Sequence, residues 1–152
     1  MPSPPSSTVT FRRVPADFSR RTIERFARRL QMEVAQGRLF DCLITGDAEL
    51  RRLNLKFLGN DYPTDVLSFP GPRPPTPGPH LGDIAISFAR ARAQARAFGH
   101  NTAQEIQILM LHGLLHLLGM DHTADGGRMA RAEKRWRARL GLATGLIERV
   151  RP

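Results

Sequence analysis

Three histidines near the end of the chain are the residues best suited to carry chemistry. His112, His116 and His122 lie within eleven consecutive positions of a sequence that has five histidines in all. On a helix, His112 and His116 would lie one turn apart on the same face. Gly119 is the residue type that ends a helix in a left-handed turn, which would bring His122 back toward the other two. Three neutral imidazoles around one point, with a position left for water, are typical of a catalytic zinc site.

The residue after the first histidine limits the reaction classes that fit. The spacing His-x3-His-x5-His, with a glycine in the second linker, is that of the metzincin proteases. Those proteases carry a general-base glutamate where this chain has Gly113, so a peptidase would lack its base. The alternative without chemistry is a set of core histidines bonded to backbone carbonyls. The ordered spacing favours the metal site.

The segment around the histidines predicts a buried helix. Apolar residues occur nearly all the way round from Ile106 to Leu118, as in a helix that runs through the middle of a domain. Thr102, with Glu105 three residues later, predicts a capping box at its start. A further helix is predicted to pack its apolar stripe against the core. That stripe consists of Met129, Ala132, Trp136 and Leu140.

The rest of the chain alternates between strand and helix patterns. Ser19 and Asp47 are predicted to cap two helices, and a third helix is predicted over residues 88–98. The predicted strands are 8–14, 39–45, 64–69 and 81–87, with the last two antiparallel across the Pro/Gly-rich loop 70–79. The sequence therefore predicts an α+β fold, with a small mixed sheet of about four strands and about five helices around the histidine helix.

Length, cysteine content and the N-terminal sequence predict the domain organisation and the cellular location. The 152 residues predict a disordered tail at 1–7 and a single domain at 8–152. Cys42, the single cysteine, excludes an internal disulfide, and its apolar surroundings predict a buried strand residue. The start lacks the features of a signal peptide, and no stretch reaches transmembrane length. We therefore expect a cytoplasmic protein that does not bind a membrane.

The formal charge of +9 is carried almost wholly by arginine, since Lys56 and Lys134 are the lysines of the chain. A basic balance favours polyanionic partners, of which RNA or a ribosome is the obvious one. Arginines on exposed helix faces are, however, often only a solvated surface. The arginines concerned are Arg25, Arg28, Arg29, Arg135 and Arg139.

Three sequence blocks in a fixed order resemble one known family. The blocks are Leu53-Asn54 with Pro63-Thr64-Asp65-Val66-Leu67-Ser68-Phe69, then Leu81-Gly82-Asp83-Ile84, then His112-Gly113-x-Leu115-His116-Leu117-x-Gly119-x-Asp121-His122. They resemble the bacterial YbeY family of rRNA maturation factors, which look like zinc-dependent endoribonucleases. The resemblance implies that His112, His116 and His122 bind one zinc ion and that the substrate is single-stranded RNA. It also implies a role on the small ribosomal subunit, in rRNA processing and ribosome quality control.

One position departs from the family pattern. The family places an arginine associated with activity after the aromatic residue that follows Leu-Asn, and this chain has Leu58 after Phe57. An apolar side chain cannot neutralise a phosphate, so the family role does not transfer to Leu58. Lys56 is the nearest cation that could replace it, and Arg51 and Arg52 are also close in sequence.

Two acids are candidates for supporting the site. Asp121 and Asp83 could each accept a hydrogen bond from the second nitrogen of a ligand histidine. Alternatively, Asp121 could cap the turn after Gly119, and Asp83 could bond loop backbone. Zinc-bound water would supply hydroxide without a glutamate, or the ion could polarise a phosphoryl oxygen or position a ribose 2′-hydroxyl. Two other functions stay open: a metallo-hydrolase of a peptide or another non-nucleic substrate, and a non-catalytic ribosome-associated factor that zinc only stabilises.

Overall fold

The computed structural model describes residues 6–71, 80–121 and 125–142. In chain order, its elements are β1 Thr8–Phe11, α1 Arg20–Glu33, β2 Leu39–Thr45, α2 Asp47–Leu58, β3 Val66–Pro70, β4 His80–Ser87, α3 Phe88–Phe98, α4 Thr102–Leu117 and α5 Arg128–Leu140. The predicted α+β fold with four strands and five helices is confirmed. Of the predicted tail 1–7, residues 1–5 lie outside these ranges. Ser7 is held by hydrogen bonds to Gln31 and Phe40.

The four strands form one mixed sheet in the order β1-β2-β4-β3. β1 is parallel to β2 and β2 is parallel to β4, while β3 runs antiparallel to β4. The predicted antiparallel pairing of the third and fourth strands is confirmed. Because β3 is an edge strand, one of its sides is left for contacts outside the sheet.

Two strand predictions were too long. β1 ends at Phe11, short of the predicted residue 14, and Arg13 has a positive φ of 55° that interrupts extended backbone. β3 begins at Val66, two residues after the predicted start. There the Asp65 carboxylate accepts a hydrogen bond from the Val66 N–H at 2.8 Å, so a side chain contacts backbone at the strand start.

Helix α4 lies at the centre of the fold, as predicted. Eleven of its sixteen residues are buried, and it packs against β3, β4 and the other helices α1, α3 and α5. The predicted capping box was displaced by one residue. The Asn101 side chain accepts from the Gln104 N–H at 2.8 Å, and the Gln104 side chain accepts from the Asn101 N–H at 3.0 Å. Asparagine is among the best N-cap residues, so Asn101 takes the position instead of Thr102.

Helix α2 lies on the other face of the sheet, where Leu50 packs with Leu67 and Ala85. Asp47 does not cap it, because Gly46 occupies the N-cap position. The Asp47 carboxylate instead accepts hydrogen bonds from Ser87 at 2.7 Å and Arg90 at 3.1 Å, which tie the starts of α2 and α3 together. At α1, Ser19 is the N-cap residue as predicted, but its hydroxyl contacts the Thr22 hydroxyl and makes no capping bond to backbone.

Other core predictions are confirmed. Cys42 is buried in β2, and burial raises the pKa of its thiol. Met129, Ala132 and Leu140 of α5 are buried, and Trp136 packs partly buried against the same core. Among the helices in the described ranges, none has the combination of length and apolar character needed to cross a membrane.

Candidate active site

Two of the three predicted metal ligands meet on one face of α4. The His112 and His116 ring centroids are 4.8 Å apart, and their ring planes are inclined by 75°. His112 is buried, while His116 is half-buried. The third predicted ligand, His122, lies outside the described residues. The one-turn spacing therefore produces the imidazole pair that the sequence predicted.

A carboxylate from α5 supports the first histidine. Glu133 Oε2 lies 3.1 Å from His112 Nδ1, and Glu133 is only 1% exposed. An imidazole that donates from Nδ1 keeps its lone pair on Nε2, and a carboxylate behind the ring is how metal-binding histidines are commonly oriented. The sequence analysis missed Glu133. A signal was present, because Glu133 lies four residues after Met129 and seven before Leu140, on the buried stripe of α5.

Of the two acids proposed from the sequence, Asp83 lies on the sheet face that is turned away from the histidine helix. Successive strand residues face opposite sides of a sheet, so Asp83 points away from α4 while Ile84 faces it. Asp83 is therefore not the acid that orients His112. Asp121 is exposed in the chain that follows α4 and Gly119.

Gly113 packs tightly against the sheet. A Cβ at this position would lie 2.9 Å from Ile84 Cγ2 and 3.1 Å from Ser68 Oγ, which is closer than ordinary contact. The Ser68 hydroxyl also donates a hydrogen bond to the Gly113 carbonyl at 3.0 Å. A glutamate here would have no room, so the side of α4 that carries the general base in the proteases is occupied by β3 and β4.

Gly113→Ala is expected to lower the free energy of unfolding. Overpacking a core typically costs about 1–3 kcal/mol, whereas replacing glycine inside a helix returns no more than about 1 kcal/mol. Urea unfolding should therefore give a lower midpoint with an unchanged slope. The exposed Ala138 in α5 supplies a control, because Ala138→Gly reports helix propensity alone. A Gly113→Ala protein as stable as the parent would contradict the steric argument.

The histidine pair borders a cleft of about 360 Å³ between α2, β3 and α4. Its lining residues are Leu58, Asp65, Val66, Leu67, Ser68, Pro70, His112 and His116. Because Leu58 lines this cleft together with both histidines, the position that departs from the family pattern borders the histidine pair. The Asp65 carboxylate in the same cleft is held by the Val66 N–H at 2.8 Å and by the Gln94 amide at 3.1 Å.

The cations considered as replacements for a family arginine point elsewhere. Lys56 is two residues before Leu58, which is roughly 200° around the helix, and it does not line the cleft. Its ammonium lies 5.2 Å from the centroid of the Phe57 ring. Arg51 is paired with Asp61 at 2.7 Å, and Arg52 with Glu49 at 2.7 Å. Among the described side chains that line the cleft, none is a lysine or an arginine.

A different group of potential ligands lies on the opposite face of the sheet. Asp41, His80 and Asp83 each offer one ligand atom, and these atoms lie within 4.8 Å of one another, so the group could hold a metal ion. Asp41 and Asp83 also line a groove of about 530 Å³ between the sheet and α2. Burial raises the pKa of Asp83, and the neighbouring Asp41 carboxylate raises it further.

Comparison with known proteins identifies the family. The sequence profile of the family described as Endoribonuclease YbeY matches residues 9–141. The chain belongs to the YbeY family. The YbeY match extends on both sides of the three blocks noted in the sequence, so it includes most of the first strand and all of α5. It also includes the positions of Leu58 and of all three histidines.

Individual relatives agree with this membership. The protein named Endoribonuclease YbeY of Solibacter usitatus is 69% identical over 150 residues, which cover 99% of this chain and 99% of that protein. Its namesake in Nautilia profundicola is 45% identical over 109 residues, which cover 72% of this chain and 77% of that protein. The solution structure of TM1509 from Thermotoga maritima has a TM-score of 0.58 at 23% identity, over 88% of this chain and 92% of that one. That structural similarity concerns the fold.

Proposed function

We propose that the protein is a zinc-dependent endoribonuclease that cleaves single-stranded RNA during small-subunit rRNA maturation and ribosome quality control in the cytoplasm. The observation that carries the proposal is the imidazole pair of His112 and His116 on the wall of a cleft, in a chain of the Endoribonuclease YbeY family. The cleft is open to solvent on the side of Leu58, so a flexible RNA strand could enter it.

The residues of the site fit a zinc ion. His112, His116 and His122 would hold one ion per chain, since imidazole nitrogens are ligands that zinc prefers. The contact between Glu133 and His112 is the kind of support that orients a ligand ring. When bound, the ion would lower the pKa of a coordinated water and polarise a phosphoryl oxygen.

The remaining residues would position the RNA. The apolar Leu58 and Val66 line the cleft beside the histidines and would contact the sugars or bases of the strand. Lys56 is exposed on the same helix as Leu58 and would contact a neighbouring phosphate outside the cleft. Asp121 precedes His122 in the chain and is the acid proposed to act near the ion.

Exposed arginines would supply the remaining affinity for RNA. Arg25, Arg28 and Arg29 are exposed on α1, and Arg135 and Arg139 are exposed on α5. The two helices are joined at this surface, where the Arg29 guanidinium donates to the Arg139 carbonyl at 3.2 Å. A phosphate backbone that crosses both helices would meet positive charge along its path.

A non-catalytic, zinc-stabilised ribosome factor is the second candidate, and Leu58 is the observation that favours it. Phosphodiester cleavage places negative charge on phosphoryl oxygens, and Leu58 contributes no charge to meet it. A metallo-hydrolase of peptides is disfavoured, because Gly113 is enclosed by Ile84 and Ser68 and a base cannot be carried there.

Activity on different classes of substrate tests the proposal. Zinc-loaded protein is expected to cleave single-stranded RNA, to leave duplex RNA largely intact and not to cleave casein. RNA affinity should fall steeply with salt, with a logarithmic slope of about −0.7 for each phosphate neutralised on a single strand. Fluorescence anisotropy of a labelled oligonucleotide across several salt concentrations measures the slope, and gel analysis measures cleavage.

Each of these measurements has an outcome that would contradict part of the proposal. Affinity that stays constant as salt rises would remove the phosphate-binding surface. Equal cleavage of duplex would remove only the single-strand preference. Proteolysis of casein would transfer the proposal to the peptidase class, and RNA binding without cleavage would support the non-catalytic factor.

A further inference from the structure

We propose that Asp41, His80 and Asp83 form a second metal site, which binds a divalent first-row transition metal ion such as Mn²⁺ on the sheet face opposite the histidine cleft. One nitrogen of His80 and one oxygen from each aspartate lie within 4.8 Å of one another. An imidazole with two carboxylates is a mixed nitrogen and oxygen ligand set that suits such ions.

An irregularity in the sheet brings these side chains together. Asp41 is directly opposite Asp83 in the parallel pairing of β2 and β4, while His80 is opposite Leu39. His80 and Asp83 are three positions apart, so in a regular strand they would face opposite sides. The register shift between Leu39 and Asp41 changes this, because β4 contains one more residue than β2 in that interval. His80 and Asp83 consequently converge on Asp41.

Gly82 makes this irregularity possible. Its φ is 146°, which side-chain-bearing residues rarely adopt, and an added Cβ would lie 2.3 Å from the Phe69 carbonyl oxygen. The close approach of β3 leaves room only for glycine at position 82. The candidate ligands therefore project from a constrained part of the sheet, and such backbone holds ligands more rigidly than a surface loop.

The charges of Asp41, His80 and Asp83 also favour a bound cation. Asp41 Oδ2 lies 3.0 Å from His80 Nε2, so one carboxylate has a partner. The Asp83 carboxylate makes no hydrogen bond or ion pair with the described residues; the Asp41 carboxylate raises its pKa and the His80 imidazole lowers it. A divalent ion would neutralise two adjacent carboxylates, and the exposed fractions of 45% for His80 and 49% for Asp41 give it a path from solvent.

The second site would be independent of the histidine cleft. Ile84 of the sheet packs against Gly113 of α4, whereas Asp83 and Asp41 line the groove under α2. The sheet itself therefore separates the two sites. An ion held by Asp41 and Asp83 would have coordination positions directed into that groove, where water or a phosphate oxygen could complete them.

Manganese titration of the zinc-loaded protein tests the second site. The electron paramagnetic resonance signal of free Mn²⁺ measures how much ion the protein removes from solution. Wild type is expected to bind one Mn²⁺ in addition to zinc. His80→Ala and Asp83→Asn should each weaken this binding by at least about tenfold, since even outer-shell changes at metal sites cost 10–100-fold. The exposed Asp17 supplies a matched control, because Asp17→Asn also removes one negative charge.

The design separates this site from the proposed active site. His112→Ala should leave Mn²⁺ binding unchanged, whatever its effect on zinc or on RNA cleavage. Thermal unfolding of each variant verifies that it folds, and added Mn²⁺ should raise the melting temperature of wild type but not of His80→Ala. Uptake of Mn²⁺ that is absent in wild type, or unchanged in both His80→Ala and Asp83→Asn, would overturn the proposal.

Discussion

Replacing His116 with alanine is expected to abolish metal-dependent RNA cleavage. The substitution removes one of three proposed zinc ligands from the wall of the cleft. A catalytic metal typically supplies several kcal/mol of transition-state stabilisation, and each 1.4 kcal/mol or so corresponds to tenfold in rate. The rate should therefore fall by at least about a thousandfold, with zinc content well below one per chain. Cleavage of a labelled single-stranded RNA and metal analysis measure the two effects.

Glu133→Gln provides a graded comparison for His116→Ala. Glutamine retains the size of the side chain and an acceptor oxygen for His112 Nδ1, but it removes the buried negative charge. Loss of such a supporting partner typically lowers metal affinity 10–100-fold, so excess zinc should restore cleavage to Glu133→Gln and not to His116→Ala. RNA binding should persist in both variants, because the arginines of α1 and α5 are unchanged. Full activity in His116→Ala would show that the histidine pair does not hold a catalytic ion.

The central helix was the most predictable part of the fold. Apolar residues nearly all the way round from Ile106 to Leu118 predicted a helix buried on most sides, and this composition decides the burial of α4 more than local helix propensity does. Its start was less predictable, because Thr102 and Asn101 can both accept a hydrogen bond from the first turn. Which of the two residues caps the helix depends on the backbone conformation at the start of α4, and the composition of the segment does not specify that conformation.

The surroundings of the histidines depended on contacts between distant segments. Glu133 reaches His112 from a helix 21 residues later in the chain, so only the packing of α5 on α4 brings the pair together. Asp83 was a candidate for supporting a ligand histidine, with bonding to loop backbone as the alternative, but strand alternation directs it to the other face of the sheet. Convergence of His80 on Asp41 required the register shift at Gly82, which the sequence pattern of a regular strand does not contain.

Leu58→Arg is expected to raise the rate of RNA cleavage by tens- to hundreds-fold. A positioned donor to a developing oxyanion contributes on the order of 2–4 kcal/mol, and Leu58 borders the same cleft as His112 and His116. The arginine should be accommodated, because Leu58 is 53% exposed. It is also the last residue of α2, where a cation interacts favourably with the helix dipole. Initial cleavage rates at equal zinc content measure the gain.

Leu55→Arg is the matched control, since Leu55 lies one turn earlier on α2, is 50% exposed and does not line the cleft. It adds the same charge, so it should strengthen RNA binding without a comparable gain in rate. Lys56→Ala should weaken binding slightly and preserve cleavage, because the Lys56 ammonium contacts Phe57 instead of the cleft. If Lys56→Ala abolished cleavage and Leu58→Arg restored it, Lys56 would hold the role of the family arginine. If the wild type cleaved no RNA, and Leu58→Arg folded and held zinc but also cleaved none, the result would favour a non-catalytic ribosome factor over a nuclease.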